Sequence, residues 1–150
     1  MALKTKFNAR LTAGGMAVLA ALTLVPTAGA DPAADAAHGT VNQVFDQVTN
    51  VPGKSMQAVT VDYPPGAKSA PHHHATSAFI MAYVISGSIR SQVDDEPARV
   101  YRAGETWSEL PGAHHTISEN ASDTEPARLL AVFLVDTGDG PLTVDDPAGR

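Results

Sequence analysis

Two stretches of the chain, Gly66-Ala67-Lys68-Ser69-Ala70-Pro71-His72-His73-His74 and Gly104-Glu105-Thr106-Trp107-Ser108-Glu109-Leu110-Pro111-Gly112-Ala113-His114-His115, hold five of its six histidines. In a strand, residues two apart point the same way, so His72 and His74 offer two imidazoles to one ion and His73 turns to the opposite face. One further imidazole from a distant strand would give a three-nitrogen site with open positions for substrate or dioxygen. Taken singly, each cluster also fits a solvated histidine turn, after Pro71 in one case and after Pro111-Gly112 in the other.

The sequence around these clusters reads as short strands. With 12 Gly and 11 Pro, 43% hydrophobic and 17% charged residues, the 150-residue chain suits one domain of many strands joined by turns. Met56–Tyr63 alternates at period 2, and Pro64-Pro65-Gly66 then forces a turn. Phe79–Ile85 is apolar on both faces, which suits a strand with sheet on one side and a ligand pocket or partner on the other. Ile89–Val93 and Ala98–Arg102 flank a hairpin-like Asp94-Asp95-Glu96-Pro97, and Thr106–Leu110, His115–Ser118 and Leu129–Val135 follow. Val41–Val48 fits either a strand or, through Val41, Val44, Phe45 and Val48, a helical face. About eight strands and no convincing helix imply a sandwich or a barrel. The Gly/Pro-rich tail after Asp136 is expected to lie over the surface.

In the order and spacing of these residues the chain resembles the cupin family. Gly66, His72, His74 and Gly87 follow that family's first motif, and Gly104, Gly112, His115 and Asn120 its second, with Leu110 where the motif proline stands and Asn120 one residue late. The resemblance implies an all-β, double-stranded β-helix: a jelly-roll-like barrel enclosing a divalent metal held by His72, His74 and His115. It also implies a glutamate at about position 79 or 80, where this chain has Phe79 and Ile80. Tyr83, Gln92 and Glu109 are candidate replacements, and the expected ligand set is the three histidines alone. His73 and His114 are expected to stay off the metal. Tyr83 and Glu109 are also the candidate catalytic side chains, Glu109 with the alternative role of orienting an imidazole N–H. Phe79, Met81, Tyr83, Trp107 and Phe133 are candidates for a pocket above the metal, with barrel core as the alternative for each.

The chain has no cysteine, so disulfides, thiolate metal sites and a cysteine nucleophile are excluded. It has no phosphate-binding glycine loop and no nucleophile-elbow serine, and no organic cofactor is expected. Residues 1–30 run from Lys4, Lys6 and Arg10 through an apolar stretch, Ala13 to Val25, to Ala28-Gly29-Ala30, the layout of a secretory signal peptide. Without a twin-arginine pair the general secretory route is expected, to the periplasm or the exterior. Residues 31–40 read as a flexible lead-in, 41–140 as the barrel and 141–150 as a tail. Those three basic residues are unopposed in the first segment, so removing it turns a net charge of −6 into about −9. That charge disfavours nucleic acid and anionic membrane and suits a neutral or cationic small ligand. A homodimer is expected from the two-faced run Phe79–Ile85 and the Val41–Val48 segment.

Two functions compete. One is a metal-dependent enzyme on a small oxygen-rich or carbonyl substrate. For it, the three-histidine pattern resembles cupin dioxygenases that open rings or cleave diketones. Fe2+ is then the favoured ion over Mn2+, Ni2+, Zn2+ or Cu2+, and isomerase or lyase chemistry is the runner-up. The other is a non-catalytic module that binds a small ligand or metal.

Overall fold

The computed structural model describes residues 38–147, so the expected signal segment lies outside the described residues. Ten strands form within this range: β1 (Thr40–Val48), β2 (Lys54–Tyr63), β3 (His72–His74), β4 (Phe79–Ser86), β5 (Ser88–Val93), β6 (Arg99–Arg102), β7 (Thr106–Glu109), β8 (His114–Asn120), β9 (Ala127–Asp136) and β10 (Thr143–Asp145). They build two five-stranded sheets, ordered β1-β2-β9-β4-β7 and β10-β3-β8-β5-β6, with every neighbouring pair antiparallel. The core lies between them.

Strand alternation selects that core. Val59, Val61 and Tyr63 of β2, Ile80, Ala82 and Val84 of β4, Ile89 of β5, and Leu129, Ala131, Phe133 and Val135 of β9 all turn inward and are buried. The register sets Ala82 opposite Ala131, so two methyl groups stand where larger side chains would fill the space, and the barrel keeps a hollow there. Between β4 and β5 the chain turns through Gly87 at φ 70°, where a Cβ would come within 2.5 Å of the Pro126 carbonyl oxygen. A side chain there would meet both backbone strain and a steric clash.

The termini of the barrel differ from expectation. Val41–Val48 is strand, paired to β2 with a register shift between Gln43 and Phe45. The lead-in ends sooner, because His38 already bridges to Lys68 and Thr40 belongs to β1. Gly39 permits this close approach, since a Cβ there would stand 2.7 Å from the Tyr63 ring. After Asp136 the tail turns back and adds β10 to β3, so residues 141–145 belong to the barrel wall. Backbone pairing to β3 outweighs the turn-rich composition that suggested a surface tail.

Candidate metal centre

β3 pairs with β8 so that His72 stands opposite His115 and His73 opposite His114. The first pair, joined by His74, faces the interior. A register shift between Gln92 and Val93, opposite β8, then rephases β8 so that Ser118 and Asn120 also point inward. One ring nitrogen from each of His72, His74 and His115 lies within 4.8 Å of the others, and all three side chains are buried. Ions of this class sit about 2.0–2.1 Å from imidazole nitrogen, so the three rings would close in on one bound ion.

Backbone carbonyls set the tautomers. His72 Nδ1 lies 2.7 Å from the Ala70 carbonyl oxygen and His74 Nδ1 3.3 Å from that of Leu142. A carbonyl only accepts, so each Nδ1 carries the proton and each Nε2 keeps its lone pair for a metal. His115 Nε2 is 2.9 Å from Ser91 Oγ. The hydroxyl can donate or accept, and His115 Nδ1 lies 3.5 Å from Glu109 Oε1. Burial strips water from the His72 and His115 rings and disfavours their charged forms. It lowers the His72 pKa despite the Ala70 contact, and brings that of His115 to about 4 against the pull of Glu109.

Glu109 ends β7 and is 3% exposed. Its partner across the β4–β7 ladder is Ile80, one of the two positions where the family motif puts its glutamate. The carboxylate thus enters the same layer of the barrel from the neighbouring strand. Oε1 accepts from Trp107 Nε1 at 2.9 Å, and Oε2 lies 2.8 Å from His74 Nε2. The His74–Glu109 approach is short but badly aligned, for neither atom makes a hydrogen bond of good geometry. Two buried polar atoms converge without satisfying each other, and a cation between the imidazoles and the carboxylate would satisfy both. The donor set fits a divalent ion. Burial pushes the Glu109 carboxyl up, but contact with His74, the field of His115 and the Trp107 N–H outweigh it and hold the pKa below its ordinary value.

The triad and Glu109 line a cavity of about 370 Å³ whose other walls include Val59, Val61, Ile80, Ala82, Leu129, Ala131 and Phe133. Of the expected pocket residues, Phe133 lies here. Trp107 lines a separate cleft beside Tyr101, its ring centroid 4.5 Å away. Phe79, Met81 and Tyr83 alternate with the buried Ile80, Ala82 and Val84, so they project from the outer face of β4, 37–44% exposed and away from the cavity. That placement also removes Tyr83 as a ligand or catalytic group. Gln92 lies away from the cavity, next along β5 from the buried Ser91. Sequence reading passed over Tyr63 and Ser91. The Tyr63 hydroxyl reaches the cavity wall, 2.7 Å from Ser69 Oγ and 2.9 Å from Ser118 Oγ, and burial pushes its pKa up. Both residues sit at inward positions of their strands, which is the only signal that could have marked them. Asn120 is structural: its amide nitrogen donates to the carbonyls of Tyr63, Pro64 and Glu125.

A cupin-domain family model matches residues 59–133, half of the chain and all of the triad. The protein belongs to the cupin family. Solved structures agree on the fold. A cupin-family protein of Methanocaldococcus jannaschii with a double-stranded β-helix superposes with a TM-score of 0.53 at 15% identity, over 68% of this cupin and 84% of that chain. Oxalate oxidase in complex with glycolate gives 0.56 at 27% identity, over 73% of this cupin and 55% of that chain. The DMSP lyase DddQ from Ruegeria pomeroyi gives 0.61 at 17% identity, over 75% and 54%. This cupin therefore spans about half the length of either enzyme. A search of curated proteins finds no match.

Proposed function

We propose that this cupin is an exported, metal-dependent enzyme of dioxygenase type, acting on a small, uncharged or cationic, oxygen-bearing substrate. One observation carries the reading: three buried imidazoles and one buried carboxylate converge at the wall of a small, largely apolar cavity. His72, His74 and His115 would hold the ion, with Glu109 as the fourth donor. When bound, a divalent ion such as Fe2+ would polarise a carbonyl or hydroxyl oxygen of the substrate and engage dioxygen.

The chain's own groups define the rest. Ala70 and Leu142 carbonyls orient two imidazoles, Ser91 orients the third, and Trp107 fixes the carboxylate. Val59, Val61, Leu129 and Phe133 make the cavity wall largely apolar. Among the described residues no lysine or arginine lines it, whereas Glu109 and Asp145 do, which favours an uncharged or cationic substrate over an anionic one. That separates the expected substrate from the dianion for which oxalate oxidase is named.

Assembly belongs to the same reading. Met56, Phe79, Met81 and Tyr83 crowd the outer face of the first sheet beside Leu130, Val132 and Leu134, and β1 is exposed along its whole length. A second copy would cover this face, and sedimentation should report twice the chain mass.

The test is elemental analysis of tag-free exported protein, followed by dioxygen uptake with neutral diketone and diol substrates before and after chelation. Bound metal with chelator-sensitive uptake is expected, along with a mature mass beginning at Asp31. Metal-free wild type, or turnover indifferent to chelation, would overturn the reading.

A further inference from the structure

The opposite face of β3 and β8 carries a second cluster. His73 and His114 are register partners whose rings stack 4.1 Å apart, 12° from parallel. Asp146 follows β10 and faces both, with Oδ2 2.8 Å from His114 Nε2 and Oδ1 3.8 Å from His73 Nε2. The backbone beneath is fixed: the Asp146 N–H donates to the Pro71 carbonyl, and the His114 N–H to Asp94 Oδ1.

We propose that His73, His114 and Asp146 form a second, surface site for a borderline divalent ion of the Zn2+ or Cu2+ kind. Two imidazoles and a carboxylate suit such ions, and the three ligand atoms already lie within 4.8 Å of one another. Near-parallel rings carry near-parallel lone pairs, so chelation requires one ring to turn. His73 is the one free to do so, its side chain being 56% exposed. The other side of the cluster is anchored, because β10 holds Asp146 against the sheet. An ion here would clamp β10 to β3 and β8, and β10 is preceded by Leu142, whose carbonyl orients His74. The site does not depend on the interior one.

The test is calorimetric titration of chelator-stripped, tag-free full chain with Zn2+, on wild type, His73→Ala and His114→Ala, with imidazole 15N shifts followed in parallel. Wild type should take two equivalents. Each variant should keep the interior event and lose the outer one by at least about tenfold in affinity, and the His73 and His114 nitrogens should shift only with the outer event. Were the interior site absent, wild type would take one equivalent and both variants none, which still supports the outer site. Either variant binding as wild type does, or saturation without a shift at His73 and His114, would overturn it. His73 is exposed and His114 half-buried, so His73→Ala keeps the result readable should His114→Ala fold poorly.

Discussion

On the inner side of the β3–β8 pair, His72, His74 and His115 are 4–8% exposed. One position away, His73 is exposed and His114 half-buried beside Asp146. The residue type is the same, and the strand period alone assigns each ring to its face. On the inner face burial lowers the basicity of His72 and His115, which favours their neutral forms. On the outer face water competes for every nitrogen, and ligation there depends on a ring that must turn. The same chemistry is thus preorganised on one side and adaptable on the other.

That contrast breaks most visibly if an inner ring is removed. His74→Ala should weaken metal binding by more than the 10–100-fold typical of disturbing an outer partner, since it deletes a direct ligand; competition with a chromogenic chelator measures this. Glu109→Gln keeps shape and removes charge, so a loss of about 10–100-fold is expected, and unchanged affinity would confine Glu109 to orienting its neighbours. Acid should act on the inner face through the groups whose pKa burial and contacts lower. His115 titrates near 4 when folded but near 6.5 in the unfolded chain, so the unfolded state binds more protons between those values and metal-free stability falls as pH drops through that window. His72, also lowered, acts in the same direction. Glu109 is lowered too, and its contribution is lost below its ordinary value near 4.5. Thermal melts of stripped protein from pH 7.5 to 4 should show a monotonic decline. The smallest effect belongs to His73→Ala, which should leave the interior affinity unchanged.

Much of this was legible in the sequence because it rests on local periodicity. The His72/His74 pairing needs only the period of a strand, and the Gly112-to-His115 spacing of the cupin motif that the chain resembles selects His115 over His114. Glu109 is harder to place, since its position depends on which strand lies beside β4, and only the Ile80–Glu109 register sets this carboxylate beside a position where the family motif puts its glutamate. For Phe79, Met81 and Tyr83 the obstacle was an apolar run that names no inward face. Alanines at 82 and 131 settle which side faces the hollow, and they look unremarkable until they are paired. The Leu142 contact to His74 could not be foreseen from a Gly/Pro-rich tail, because its value lies in a carbonyl rather than a side chain.

Anomalous diffraction from crystals of tag-free protein loaded with Zn2+ tests the central claim most directly. An interior peak bounded by Nε2 of His72 and His74, a ring nitrogen of His115 and the Glu109 carboxylate is the expected result. No interior peak, with the three imidazoles well ordered and Glu109 still against His74, would contradict it.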